Sequence, residues 1–356
     1  MQQIEEAKAD IEKYGDRDSI YFASGPHATW EVNPLRKGKE DFAYDYRKDP
    51  VEAASMYECI PARATDAYFR NMPALLHSVD SFEQPVSVSY ALEPMKSGVT
   101  GKTVNVWNAK FDFLDSFRPK QGARYAMHAD LAIRGDRAGI ALSHVESWMD
   151  TTQSEFDPAT GGVTESLVRV PVLRNDFTIA LESSKETEPA REIQIRWARE
   201  LAFELVSRGF LIVMFSFDQF QSADSMQILN AHGIETDRIS ADINDNPYKT
   251  LRDVAYDSRL HLPYSELLFK ELEELNRSGK KIDHQPGGSK DLADALACSL
   301  VGAIGAMGEE DVDGKEVDTS VLRFALGDTF SPLVGMENLN MRNMMPAGME
   351  GMKLYG

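Results

Sequence analysis

"FLIVMFSFD", residues 210–218, is an apolar run, interrupted by Ser216 alone, that stops at an acid. The run is too short for a buried helix and reads as a strand covered on both faces. It predicts a central strand with Asp218 at its carboxyl end, the edge where open α/β sheets build their sites. Before it, "PAREIQIRWARELAFELVSRG" (189–209) is an amphipathic helix pattern, with Pro189 near the first turn and Gly209 as the stop. After it, "SADSMQILNAHG" (222–233) reads as a second helix and "IETDRIS" (234–240) as a short strand.

Further upstream, "ARYAMHADLAI" (123–133) alternates. Tyr125, Met127, Ala129 and Leu131 share one face, and Ala126, His128, Asp130 and Ala132 the other. "RGDR" makes a turn and "AGIALSHVESW" (138–148) returns as a second strand. A loop rich in Asp, Thr and Gly precedes "LVRVPVLRNDFTIAL" (167–181), a third strand or bent pair in which Pro171 argues for an edge or a bulge. Downstream, "NPYKTLRDVAYDSRLHLP" gives a helix and a brief extended piece, and "YSELLFKELEELNRSG" another helix. The loop "KKIDHQPGG" then leads into the nearly all-apolar helix "DLADALACSLVGAI" (291–304). Three strands followed by α/β alternation predict a mixed α/β sheet flanked by helices.

The 356 residues suffice for two modest domains, or one with appendages, and 42% hydrophobic with 27% charged residues is an ordinary globular balance. No apolar run reaches the length of a membrane span. The acidic, helical N-terminal pattern is not that of a signal or transit peptide. Cys59 and Cys298 make neither a disulfide framework nor a zinc site, so a reducing, intracellular setting is the default. The net charge of −19 argues against nucleic acid, yet a nuclease needs only an acidic metal site and a local basic track. Residues 1–118 read as an irregular N-terminal region with one or two helices, 119–306 as the α/β domain, and 307–356 as an acidic, then Met-rich tail. No GxxxxGK[ST] phosphate loop occurs anywhere in the sequence.

Asp130 lies in the first strand, Asp218 ends the central one, and Asp291 and Asp294 share a face of the late helix's first turn. If first and fourth strands are neighbours, these acids converge, and buried carboxylates that converge need a cation. With no multi-Cys or multi-His set to compete, Mg²⁺ or Mn²⁺ is the expected occupant, and two such ions clamp a phosphodiester for attack by water. Taken singly, each acid is more simply a turn, cap or dipole-complementing residue. Asp136 is then a hairpin-turn acid and His128 a core histidine. Arg134, Arg137, Lys280, Lys281 and Lys290 flank the acids and are candidates for DNA-backbone contacts, though a solvated surface explains each as simply.

The segments "HADLAIRGDRAGIALSH", "FLIVMFSFDQFQSADSMQILNAHGIETDRIS" and "HQPGGSKDLADALACSLVGA" together resemble the nuclease domain of tailed-phage large terminase subunits, across about residues 122–305. The resemblance implies a ribonuclease H-like fold with Asp130, Asp218 and Asp291 as catalytic metal-binding carboxylates. It makes Asp136 an auxiliary acidic position and Asp294 a partner of Asp291. It implies Mg²⁺- or Mn²⁺-dependent endonucleolytic cutting of concatemeric double-stranded DNA during packaging, in the host cytoplasm. The implied partners are the portal protein, the small terminase subunit and a terminase ATPase domain or subunit. "HATWEVNP" and "DPVEAASMYECIPA" resemble the segment that joins the family's ATPase part to its nuclease, with Thr29 near the ATP-coupling motif. With the phosphate loop missing, the chain is expected to be a C-terminal piece of a terminase or the product of a split gene. Two other readings stand beside this one: a junction resolvase or transposase-type nuclease on the same fold, and a non-catalytic phage assembly protein docking on the portal.

Overall fold

The computed structural model describes residues 27–33, 35–48, 50–60, 67–131, 137–156, 163–218, 223–278, 281–285 and 287–307. The chain divides into two compact units, Met1–Asp66 with Phe156–Gly162, and Ala67–Glu155 with Val163–Gly356. In the first unit, α1 (Thr29–Val32), a 3₁₀ turn (Lys39–Phe42), α2 (Ala43–Lys48) and α3 (Pro50–Tyr57) gather around aromatic rings. Phe42 is buried and stacks on Tyr57 at 3.9 Å between ring centroids. The Tyr57 hydroxyl donates to Asp45 at 2.7 Å.

The second unit is built on a seven-stranded sheet. Its strands are β1 (Val79–Ser81), β4 (Tyr125–Asp130), β5 (Arg137–Phe156), β6 (Val163–Glu182), β7 (Ile212–Phe217), β8 (Glu235–Arg238) and β9 (Leu260–Pro263), in the order β1-β9-β6-β5-β4-β7-β8. β4 pairs antiparallel with β5 and parallel with β7, which pairs parallel with β8. Three consecutive strands side by side, with the next two added parallel beside the first of them, give a ribonuclease H-like mixed sheet. β9 and β1 extend it beyond β6.

Helices cover both faces, and the alternation of β4 decides which residues meet which helix. Tyr125, Met127 and Ala129 join the core of α5 (Arg196–Ser207) around fully buried Trp197. Ala126 joins the opposite core, formed with α4 (Met72–His77), α7 (Asn246–Tyr256), α8 (Glu266–Glu274) and α9 (Asp291–Gly305). α6 (Ala223–Ala231) connects β7 to β8. Buried along nearly its whole length, α9 lies so close to the sheet that a Cβ on Gly302 would stand 3.2 Å from Ala126 Cβ and 3.4 Å from Met214 Sδ. Among the described residues no helix is long and apolar enough to cross a membrane.

The structure corrects several sequence readings. α5 begins at Arg196, not at Pro189. The residues between serve other elements: Arg191 bridges Ser184, and the Pro189 carbonyl accepts Trp107 Nε1–H at 2.8 Å. The predicted helix after Tyr264 stops at Glu274, and β10 (Leu275–Ser278) with β11 (Lys281–His284) forms a hairpin. The region read as irregular contains β1 and the long hairpin of β2 (Val86–Lys96) and β3 (Thr103–Phe113). Pro171 sits in β6 two residues before its pairing with β9 begins at Leu173, where its missing N–H costs no ladder bond on that side. The predicted 307–356 tail lies outside the described residues, apart from its first residue.

Candidate active site

Parallel pairing of β4 and β7 sets Ala129 opposite Phe217, so Asp130 and Asp218 leave the sheet side by side at one edge. One step further in, the buried His128 imidazole is 2.8 Å from Ser216 Oγ through Nδ1, and Ser216 Oγ donates to the Met127 carbonyl. Burial pushes the His128 pKa down to about 3, which leaves it neutral. Nε2 of this ring is sealed without a partner, so His128 is a core histidine under the edge.

The third contributor arrives because of a glycine. Gly139 of β5 faces Asp130 in the ladder, and a Cβ there would fall 2.0 Å from the Asp291 carbonyl oxygen and 3.1 Å from Ala295 Cβ. A glycine inside a strand allows such an approach of another backbone. It seats the first turn of α9 against the strand end and brings Asp291 and Asp294 to Asp130. Asp294 is buried and fully engaged: Tyr248 Oη donates to Oδ1, and Lys290 Nζ lies 3.0 Å from Oδ2. The same ammonium is 2.8 Å from Asp242 Oδ1. Ser289 Oγ lies 2.9 Å from Asp291 Oδ2 and 2.7 Å from Glu271 Oε1.

The convergence is visible in the electrostatics. Burial, and after it the carboxylates of Asp294, Asp291 and Asp218, push the Asp130 pKa up to about 8, with Lys290 opposing. Asp294 is raised to about 6 by burial, against Lys290 and Tyr248. Burial works against the Lys290 charge, yet Asp294 and Asp242 hold that ammonium protonated well above the ordinary lysine range. Burial is the larger cause of the raised Asp130 carboxyl, and the neighbouring carboxylates add to it.

Among the described residues, no group of three or more His, Cys, Asp or Glu side chains stands close enough together to hold an ion as it is. The carboxylates share a field, while both oxygens of Asp294 are engaged by neighbours. The donor set fits a hard cation nonetheless. It is all oxygen, His128 is sealed, and the buried Cys298 thiol is pushed up by burial and then by Asp294, Asp130 and Asp218.

Of the other predicted residues, Arg134, Asp136 and Lys280 lie outside the described residues. Arg137 is 3.3 Å from Glu182 and lines, with Glu271, Gly288, Ser289 and Asp291, a cavity of about 560 Å³. Lys281 is exposed, 2.8 Å from Asp283. Lys290 is the correction: buried and committed to two carboxylates, it is not placed to contact a DNA backbone. Sequence reasoning missed Gly139, Tyr248, Asp242, Ser289 and Glu271. Only Gly139 left a signal, as a glycine within an apolar strand pattern.

Comparison with known proteins adds a relative and several solved structures. The family described as "Uncharacterized protein MJ0330, N-terminal P-loop domain" matches residues 9–59, within the first unit. The uncharacterised protein MJ0330 of Methanocaldococcus jannaschii is 24% identical over 321 residues, 84% of this chain and 49% of that protein. The chain thus spans about half the length of that relative. The large terminase nuclease of thermophilic phage G20c is 14% identical over 51% of this chain and 83% of its own, with a TM-score of 0.33. It is also known with bound magnesium and with bound cobalt. The Thermus phage P74-26 large terminase nuclease domain gives 11%, 54% and 86%, with a TM-score of 0.34. The HK97 bacteriophage large terminase gives 10%, 84% and 59%, with a TM-score of 0.37. At such scores these likenesses carry no argument, and the fold rests on the strand order.

Proposed function

We propose that this chain is a divalent-metal-dependent DNA endonuclease of the kind that cuts concatemeric duplex DNA in phage packaging, with little sequence specificity. The observation that carries the reading is the β4–β7 register that sets Asp130 beside Asp218 at one sheet edge, where burial, and after it the carboxylates of Asp294, Asp291 and Asp218, raise the Asp130 pKa to about 8. The order of three motifs along the sequence supports the terminase assignment.

Asp130, Asp218 and Asp291 would hold the ions, with Asp294 adjoining and Asp136 auxiliary. Bound Mg²⁺ or Mn²⁺, two ions in this reading, would activate the attacking water and neutralise charge on the leaving oxygen. The chain's own part is positional. β4 and β7 fix two carboxylates in register, and Gly139 lets α9 deliver the third. Tyr248 and Lys290 hold Asp294 in place. Arg137 and Lys281 are the described cations that this reading assigns to steering a phosphate backbone. The portal protein, the small terminase subunit and a terminase ATPase domain or subunit are the partners this reading implies. The match of residues 9–59 to a P-loop domain is in keeping with the last.

A plasmid-nicking assay tests the reading. Wild-type protein is expected to nick with Mn²⁺ or Mg²⁺ and to stop with EDTA. Asp130→Ala and Asp218→Ala are expected to lose activity by at least about a hundredfold while keeping their far-UV spectrum. Activity retained in both variants refutes the site, and a marked preference for four-way junctions over linear duplex would move the function to a resolvase.

A further inference from the structure

α9 starts without a cap of its own. Lys290, at the position where Ser, Thr, Asp or Asn would ordinarily accept the first free N–H groups, makes no side-chain cap bond. Those donors are met by a carboxylate from another helix. The N–H groups of Leu292 and Ala293 donate to Glu271 Oε2 at 2.9 and 3.0 Å. Glu271 Oε1 lies 2.7 Å from Ser289 Oγ, which is also 2.9 Å from Asp291 Oδ2. Glu271 is 2% exposed.

A local neutral cap would satisfy the same N–H groups without adding a buried charge beside Asp291. Glu271 does something a local cap does not: it ties the first turn of α9 to α8. Through Ser289 it also fixes the side chain of Asp291, leaving that residue less freedom to turn from the strand acids. We propose that Glu271 is a positioning residue that clamps the start of α9 and holds Asp291 over Asp130 and Asp218. This rests on the nuclease reading, and it assigns Glu271 no contact with metal or DNA.

Charge and reach can be separated at this position. Glu271→Gln keeps the reach and an acceptor for both N–H groups and discards the charge. Glu271→Asp keeps the charge and withdraws it by one methylene. Ser289→Ala removes the hydroxyl that stands between Glu271 Oε1 and Asp291 Oδ2 and leaves both N–H bonds to Glu271 Oε2 in place. The clamp predicts that the Mn²⁺ concentration for half-maximal nicking rises about tenfold in Glu271→Asp and Ser289→Ala, the scale found when groups supporting metal ligands are removed. Maximal rate at saturating Mn²⁺ should stay within about threefold, and Glu271→Gln should behave as wild type. The reverse pattern, with Glu271→Gln impaired and Glu271→Asp normal, overturns the proposal in favour of a purely electrostatic role. Unchanged half-maximal concentrations in all three also overturn it.

Amide hydrogen exchange at Leu292 and Ala293, measured on the metal-free protein without DNA, is independent of cleavage. It should quicken about tenfold in Glu271→Asp and hold steady in Glu271→Gln. Unchanged exchange in Glu271→Asp sinks the clamp even if the wild type nicks. A wild type that neither binds Mn²⁺ nor nicks, with exchange responding as expected, sinks the nuclease reading and leaves the clamp standing.

Discussion

Asp130 is where folding and function pull in opposite directions. Its carboxyl is raised to about 8, by burial first and then by Asp294, Asp291 and Asp218, so the folded chain holds this proton more tightly than the unfolded chain does. Stability from this group is therefore greatest below the ordinary carboxylate range and declines as pH rises toward 8. Asp294 acts with the same sign over a narrower window ending near 6. In EDTA, the melting temperature is expected to fall between pH 5 and pH 8, and millimolar Mn²⁺ should restore much of it at pH 8 by binding the folded state alone. Asp130→Asn removes the charge and keeps the shape. It should melt higher than wild type at pH 8 in EDTA, lose most of its pH slope above about pH 6, where Asp294 no longer contributes, and fail to nick. A variant that melts lower at pH 8 than wild type would show that folding does not disfavour the Asp130 charge.

Between elements, the decisive approach is that of α9 to β5. Gly139→Ala would put a Cβ 2.0 Å from the Asp291 carbonyl oxygen, a backbone atom that cannot rotate away. The helix start must move, at a cost of about 1–3 kcal/mol if overpacking elsewhere is a guide. Displacing a ligand by about 1 Å can cost about a hundredfold in rate, so nicking should fall by that order. Gly98→Ala is the control, because a Cβ there meets nothing within 4 Å. Near-normal nicking by Gly139→Ala would mean that the start of α9 has no part in the chemistry. This seam also marks how far the sequence could be read. The strands carrying Asp130 and Asp218 announced themselves by alternation and by an apolar run, while their pairing, a condition in the sequence reading, is supplied by the observed strand order. The β2–β3 hairpin escaped the reading of residues 1–118 as irregular, although Val86, Val88 and Tyr90 alternate, as do Trp107, Ala109, Phe111 and Phe113, and these residues pack against the core around Trp197. The supporting residues were not legible. Glu271 stands in an acidic run that looks like a solvated helix face, and Tyr248 and Asp242 are ordinary until folding brings them to Asp294 and Lys290. Their roles come from contacts between residues far apart in sequence, which no periodicity records.

At the scale of the whole molecule the proposed function sets the net charge of −19 against a polyanionic substrate. Proteins that hold DNA through six to ten phosphate contacts lose about 10³–10⁵ in affinity between 50 and 200 mM salt, because each contact releases condensed counterions. Around this site the described predicted cations left for such contacts are Arg137 and Lys281, and each already has an acidic neighbour. Lys290 is buried. Few contacts predict a shallow slope, and screening of the long-range repulsion between acidic protein and DNA offsets part of it. Plasmid affinity measured in Ca²⁺, with Mn²⁺ withheld to prevent cutting, should therefore drop by less than about tenfold over that salt range. Such a chain would depend on a partner to hold DNA at its acidic edge, as a cutter working within a packaging assembly can. A steep slope, of the size that six or more contacts give, would reveal a basic track on this chain. Loss of that slope in an Arg134→Ala, Lys280→Ala double variant would place the track at those positions.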